Sequence, residues 1–115
     1  EALADAMRRM PLAGRTHGVL GMMRDKDVES FVGVLQPLVD CWHTVGLHIP
    51  RASPPQELAA RVATVIGTGQ AVSCWTTVAE ALAAIQRGVG AGDRVLVCGS
   101  FHTVAEWARL QACFD

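Results

Sequence analysis

Residues 94–102 read Arg-Val-Leu-Val-Cys-Gly-Ser-Phe-His, and this stretch decides the fold. Its first half is a short apolar run that is typical of a fully buried strand. Gly99 and Ser100 then mark a turn, and the pattern Thr103-x-x-Glu106 predicts a capping box at the start of a helix. A buried strand that leads directly into a helix is the unit from which parallel sheets are built.

The same alternation of strand and helix extends outward over the rest of the chain. Short apolar runs predict further strands at 17–21, 41–47 and 70–75. Apolar residues at helical spacing predict further helices at 1–10, 26–39, 54–66 and 77–87. We therefore expect residues 1–115 to form one α/β domain with a three-layer, Rossmann-like architecture, in which helices cover both faces of a mainly parallel sheet.

Local signals predict where these helices begin and end. Asp25 or Asp27 can cap the helix at 26–39, and Pro37 should end or kink its last turn. The patterns Ser53-x-x-Gln56 and Thr77-x-x-Glu80 predict two further capping boxes.

Composition excludes several classes of protein. The 115 residues are 50% hydrophobic and 18% charged, which excludes a disordered chain. Ten Lys and Arg residues against eleven Asp and Glu residues give a net charge of -1 without a basic stripe, so we expect no nucleic-acid partner. Apolar runs fall far short of the about 20 residues that cross a bilayer, and no signal peptide is evident, so we expect no membrane partner. The chain opens inside a helical pattern without Met, and we expect it to be an excerpt of a longer protein.

The cysteines indicate a reducing compartment. Cys41, Cys74, Cys98 and Cys113 lie in apolar stretches and form no Cys-x-x-Cys pair. We expect buried, reduced thiols in a cytoplasmic protein. No histidine pair has metal-ligand spacing either, so no metal site is expected within these residues.

Candidate binding residues follow from the rule that sites in parallel sheets lie at the carboxyl ends of the strands. That rule selects residues 21–27, 47–53 and 99–102. Ser100 and His102 lie where a helix begins, and backbone N–H groups there favour an anion such as a carboxylate or phosphate. The alternative is that Ser100 only caps the helix and His102 is a surface residue.

Two other segments allow a structural interpretation. Asp25, Lys26 and Asp27 can stabilise the first turn of a helix, or they can form a charged loop that contacts a ligand or a neighbouring domain.

The glycine runs at 67–69 and 88–92 follow helices and precede strands, which is the wrong order for a phosphate-binding loop. They are interpreted as helix C-caps and turns.

Four segments carry a resemblance to a known family. They are Val19-Leu-Gly-Met-Met-Arg-Asp-Lys-Asp27, Leu38-Val-Asp-Cys-Trp42, Pro50-Arg51, and the run from Asp93 to Glu106 that contains Val-Leu-Val-Cys-Gly-Ser-Phe-His-Thr-Val-Ala-Glu. In this order and spacing they resemble the C-terminal domain of bacterial bifunctional dihydrofolate synthase/folylpolyglutamate synthases, in the Mur ligase superfamily. One departure is Ile49, where that family often has Gly before Pro-Arg.

The resemblance implies an ATP-dependent ligase. Such enzymes use ATP and magnesium to phosphorylate the carboxylate of a pteroate or folate, and the amine of L-glutamate then attacks the acyl phosphate. It implies that Ser100 and His102 bind glutamate or the acyl phosphate, and that Asp25, Lys26 and Asp27 organise a loop facing the cleft. The resemblance also implies that the P-loop and the magnesium ligands belong to an N-terminal ATPase domain of the same chain. We therefore expect no catalytic residue, no bound cofactor and no activity in these 115 residues alone.

Other functional classes fit the residues less well. The main alternative is a small non-enzymatic α/β module that binds a ligand or a partner. A receiver-like domain needs a lysine on a distant strand, whereas the only lysine here is Lys26. A nicotinamide dehydrogenase needs its glycines at the opposite edge of the sheet.

Overall fold

Four parallel strands form a single sheet in the computed structural model, which describes residues 14–67, 70–88, 90 and 92–114. The strands are β1 (Thr16–Leu20), β2 (Cys41–Val45), β3 (Ala71–Trp75) and β4 (Arg94–Cys98). Their order is β3-β2-β1-β4, so β1 pairs with β2 on one side and with β4 on the other. The expected Rossmann-like parallel sheet is confirmed, and its order reverses between β1 and β4.

The helices alternate with these strands. They are α1 (Val28–Leu35), α2 (Pro55–Ile66), α3 (Val78–Gly88) and α4 (Phe101–Phe114). A 3-10 turn, Gln36–Leu38, follows α1 and contains Pro37, which confirms the expected end of that helix. The helix predicted at 1–10 lies outside the described residues.

Two apolar clusters hold the helices on opposite faces of the sheet. One face packs against α1 and α2, with Trp42 fully buried among residues such as Leu20, Val32 and Leu58. The other face packs against α3 and α4. Burial of these side chains is the main stabilising contribution, at about 25 cal/mol for each Å² of apolar surface removed from water. The expected three layers are therefore present.

Two of the three predicted capping boxes are wrong. Pro54 is the N-cap of α2 and Pro55 its first residue, so Ser53 lies outside the helix and is buried instead. The helix α4 begins at Phe101, which places Thr103 inside its first turn, fully buried. The box at Thr77-x-x-Glu80 is confirmed: the Glu80 backbone N–H donates to Thr77 Oγ1 at 3.1 Å, and the Thr76 N–H donates to Glu80 Oε1 at 2.8 Å.

The cysteine and glycine expectations have mixed outcomes. Cys41, Cys74 and Cys98 are free, but only Cys98 is buried, and Cys74 is exposed. The expectation of buried thiols is wrong for Cys74 because it lies on the edge strand β3. Gly67 ends α2 with a φ of 65° and donates its N–H to the Ala63 carbonyl, which confirms the C-cap interpretation at this residue. Residues 68, 69, 89 and 91 of the two glycine runs lie outside the described residues. None of the described helices is long and apolar enough to cross a membrane.

Candidate functional site at the carboxyl edge of the sheet

The ends of β1 and β4 meet at the point where the strand order reverses. The Gly21 N–H donates to the Cys98 carbonyl at 3.4 Å, and the Thr103 hydroxyl donates to the Gly21 carbonyl at 2.7 Å. Gly99 has a φ of 102°, and a Cβ there would lie 2.7 Å from the Gly21 carbonyl oxygen. Glycine at 99 therefore lets the chain turn from β4 into α4 directly against β1.

Ser100 is the N-cap residue of α4. Its side-chain oxygen accepts the backbone N–H of His102 at 3.1 Å, and its carbonyl accepts the N–H groups of Thr103 and Val104. A hydroxyl that accepts from the second residue of a helix is the usual N-cap geometry. The capping alternative for Ser100 is thus present, and a binding role remains a prediction.

His102 is exposed and lines a pocket of about 290 Å³ between the segment after β2 and α4. The remaining lining residues come from that segment, from the start of α3 and from one face of α4: Gly46, Leu47, His48, Ile49, Val78, Ala105, Glu106 and Arg109. A pocket of this size is close to the lower end of small-molecule sites.

Charged groups of both signs lie in this pocket. The Arg109 guanidinium holds the Glu106 carboxylate with two hydrogen bonds, of 2.8 and 3.0 Å. Arg109, and more weakly His48, keep the pKa of the Glu106 carboxyl below its usual value. The pocket therefore contains a carboxylate, a guanidinium and two imidazole rings, and side chains of this kind can bind a zwitterion.

Backbone contacts join the loops after β1 and β2. The Arg24 N–H donates to the Arg51 carbonyl at 2.8 Å, and the Ser53 N–H donates to the Met22 carbonyl at 2.9 Å. Met23 and Ala52 form an antiparallel bridge between these hydrogen bonds. Two of the three predicted site segments, 21–27 and 47–53, are therefore held together. Ile49 is partly buried in the pocket lining.

Asp25, Lys26 and Asp27 lie exposed before α1. Asp27 caps this helix, because its carboxylate accepts the Ser30 N–H at 3.2 Å and the Ser30 hydroxyl at 2.8 Å. The Lys26 carbonyl accepts from the Arg61 guanidinium of α2. None of the three residues lines the pocket that contains His102.

Sequence reasoning missed Glu106 and Arg109 as pocket residues and gave His48 little weight. The spacing Glu106-x-x-Arg109 shows that both side chains share one face of α4, but not that this face lies opposite residues 46–49. Within the described residues, no group of three or more His, Cys, Asp or Glu side chains could hold a metal ion.

The chain is similar to proteins of a known family. The family model described as Mur ligase, glutamate ligase domain, matches residues 1–101. The dihydrofolate synthase/folylpolyglutamate synthase of Escherichia coli (strain K12) is 37% identical over 105 residues, which is 91% of this chain and 23% of that protein. The chain thus spans about a quarter of the length of the curated relatives it matches.

Solved structures show the same similarity. E. coli FolC in complex with ADP, without folate substrate, is 34% identical, with a TM-score of 0.84 over 98% of this chain and 26% of that chain. A bifunctional folylpolyglutamate synthase/dihydrofolate synthase with Mn, AMPPNP and L-glutamate bound is 28% identical, with a TM-score of 0.76 over 96% of this chain and 25% of that one.

Proposed function

The chain belongs to the family of Mur ligase glutamate ligase domains, and from that premise we propose that it is the C-terminal part of an ATP-dependent ligase that joins L-glutamate to dihydropteroate, to folates or to both. The similarity to bifunctional dihydrofolate synthase/folylpolyglutamate synthases supports this substrate class. A structure of one such relative has L-glutamate bound.

The pocket at the carboxyl edge carries the proposal. L-Glutamate has two carboxylates and one ammonium group, and the pocket offers groups of complementary charge. We assign the side chain of His102 to a substrate carboxylate, with Ser100 beside it at the helix N-terminus. Glu106 is kept ionised by Arg109 and suits the ammonium group.

The chemistry in this proposal is acyl transfer through an acyl phosphate. These residues would orient the glutamate so that its amine reaches the activated carboxyl carbon, because fixing two reactants in position removes much of the entropic barrier. Both the acyl phosphate and glutamate are anionic, and backbone N–H groups at the start of α4 favour negative charge.

ATP and magnesium are assigned to the remainder of the enzyme. Among the described residues, no group of three or more His, Cys, Asp or Glu side chains could hold a metal ion. The proposed partner is the N-terminal ATPase domain of the same chain. Asp25, Lys26 and Asp27 are proposed to lie on the loop that faces the cleft between the domains, and the free cysteines suit a cytoplasmic enzyme.

A chimera tests the function directly. This chain replaces the matching quarter of the E. coli enzyme, and ADP release is measured with ATP, dihydropteroate and L-glutamate. We expect glutamate-dependent ADP release from the chimera and none from the 115-residue chain alone. A folded chimera without ligase activity would contradict the proposal, and so would turnover by the isolated chain. Circular dichroism and a cooperative thermal transition establish that each protein is folded.

A further inference from the structure

Four polar side chains follow one another across one face of the sheet: hydrogen bonds join the first three, and the fourth, Asp93, lies near His17 without forming a hydrogen bond to it. The indole N–H of Trp75 on β3 donates to Nδ1 of His43 on β2 at 3.0 Å. Nε2 of His43 lies 3.5 Å from Nδ1 of His17 on β1, and Nε2 of His17 lies 3.5 Å from Oδ2 of Asp93, which precedes β4. The line runs from the carboxyl end of β3 to the amino end of β4.

The donors in this line fix the tautomers of both imidazoles. An indole nitrogen only donates, so Nδ1 of His43 has to accept, and the proton of neutral His43 is on Nε2. That proton faces His17 Nδ1, which then accepts, and the His17 proton is on Nε2, toward the Asp93 carboxylate. The Trp75–His43 and His43–His17 hydrogen bonds therefore each have one donor and one acceptor only while both imidazoles are neutral.

Burial disfavours an added charge on His43. His17 and His43 are only 8% and 9% exposed. Among the described residues, the helices and β4 contribute apolar side chains to the cluster on this face: Val78, Ala81, Ile85, Trp107, Leu110, Val95 and Val97. Among the described residues, the imidazole of His17 faces His43 directly, and the carboxylate of Asp93 lies beyond His17. Burial, and then the neighbouring His17, lower the pKa of His43 to about 4.

A second proton on either imidazole breaks one of the two hydrogen bonds that His43 makes in this line. On Nδ1 of His43 it meets the Trp75 donor. A second proton on Nδ1 of His17 faces the Nε2–H group of His43. His43 can avoid this by moving its own proton to Nδ1, but it then no longer accepts the hydrogen bond from Trp75. In both cases two N–H groups face each other at one of these links, or the Trp75 hydrogen bond is lost.

We propose that Trp75, His43, His17 and Asp93 form an acid-sensitive latch that fastens the edge strand β3 to β2 and thereby holds one wall of the carboxyl-edge pocket. Trp75 directly precedes Thr76, whose carbonyl oxygen lies so close to Gly46 that a Cβ there would approach it to 2.5 Å. Gly46 and Val78 line the pocket. Loss of the Trp75–His43 hydrogen bond in acid therefore loosens two pocket-lining segments together, whereas at neutral pH this hydrogen bond stays formed.

NMR spectroscopy of the ¹⁵N-labelled 115-residue chain tests the latch without any substitution. At pH 7.5 we expect His43 to be protonated on Nε2 and unprotonated on Nδ1. As the pH falls toward 4, the Trp75 indole N–H and the backbone amides of Gly46 and Val78 should shift together, with one midpoint. A His43 that carries its proton on Nδ1 at pH 7.5 would overturn the proposal, and so would an indole signal that stays constant while His43 titrates.

Two variants distinguish the latch histidine His43 from a histidine that lines the pocket. His43→Asn keeps an acceptor near the position of Nδ1 but cannot titrate, so we expect the acid-dependent shift of the Trp75 indole to be lost. The matched variant His48→Asn removes an exposed pocket imidazole and should leave that shift and its midpoint unchanged. An unchanged transition in His43→Asn, or its loss in His48→Asn, would contradict the latch.

Discussion

Thr103, in the first turn of α4, donates a hydrogen bond of 2.7 Å to the carbonyl oxygen of Gly21 at the end of β1, 82 residues earlier in the chain. Both residues are buried. This hydrogen bond joins the segment that carries His102 to the strand at which the order of the sheet reverses.

Thr103→Val should therefore destabilise the domain. Valine keeps the shape of threonine but leaves the buried Gly21 carbonyl without this donor, which costs about 1–3 kcal/mol. Chemical denaturation measures the free energy of unfolding. Thr103→Ser retains the hydroxyl and should lose much less stability. Equal losses in the two variants would show that packing of the methyl group, and not the hydrogen bond, matters at this position.

Gly99→Ala should be among the most damaging single-methyl additions. A Cβ at 99 would lie 2.7 Å from three atoms of the segment Leu20–Met22, and the φ of 102° disfavours any side chain. We expect a loss of at least about 2 kcal/mol.

Gly33→Ala is the matched control for Gly99→Ala. Gly33 lies within α1, and a Cβ there meets nothing within 4 Å. It should stabilise the chain by up to about 1 kcal/mol, since alanine favours the helix. Thermal denaturation that gave both variants the same midpoint would contradict this account of the β4–α4 turn.

His102→Ala, made in the chimera, separates a binding role from a structural one. Loss of a charge-assisted hydrogen bond to glutamate, about 1.5–3 kcal/mol, should raise the KM for glutamate roughly 10- to 100-fold. The KM for ATP should change far less. Steady-state measurement of ADP release at varied glutamate and varied ATP gives both constants.

Ser100→Ala addresses the other half of the predicted site. Removal of the N-cap of α4 should cost about 1 kcal/mol of stability. If Ser100 only caps the helix, the KM for glutamate stays constant while the melting temperature falls. The same outcome for His102→Ala, with unchanged glutamate kinetics, would remove both residues from the proposed binding site.

Arg61→Ala should alter the titration of Glu29. The Arg61 guanidinium forms hydrogen bonds of 2.9 and 2.7 Å with this carboxylate and lowers the pKa of Glu29 from 4.5 to about 2. The ionised form is thus favoured in the fold, and its contribution to stability, full above pH 4.5, is lost as the pH falls toward 2.

NMR titration of the Glu29 carboxyl measures this effect. In Arg61→Ala the pKa should return most of the way to 4.5, and Arg61→Lys, which keeps the charge but not the paired hydrogen bonds, should give an intermediate value. An unchanged titration in Arg61→Ala would show that other groups keep the carboxylate ionised.

The fold was predictable because its signals are local. The apolar run at Arg94–Cys98 is bounded by residues that turn the chain, and the strand has those limits. The helix boundaries were less predictable, because Ser53, Thr77 and Thr103 all precede an acidic or amide residue at the spacing of a capping box. Only Thr77 caps, since Pro54 and Ser100 take the N-cap positions of the other two helices.

The pocket and the buried polar line depend on distant pairing. His17 and His43 are 26 positions apart, and they meet only because β1 and β2 are neighbours in a particular register. Likewise, residues 46–49 and the Glu106–Arg109 face are brought together by the sheet order, which no local pattern contains. Residues 99–102 could be selected from the sequence, because the rule that sites lie at the carboxyl ends of parallel strands requires only the order of strands and helices along the chain.

The pairing of β1 with β4 also sets an order of events during synthesis. β1, β2 and β3 are consecutive neighbours, so their pairing can begin while the chain is still emerging from the ribosome. β4 has to return to β1 across 78 residues, and the entropy of closing so long a loop slows this step. Until β4 pairs with β1, the backbone groups on that edge of β1 can pair with strands of other chains. The nascent domain is therefore most prone to aggregation just before residues 94–98 leave the exit tunnel.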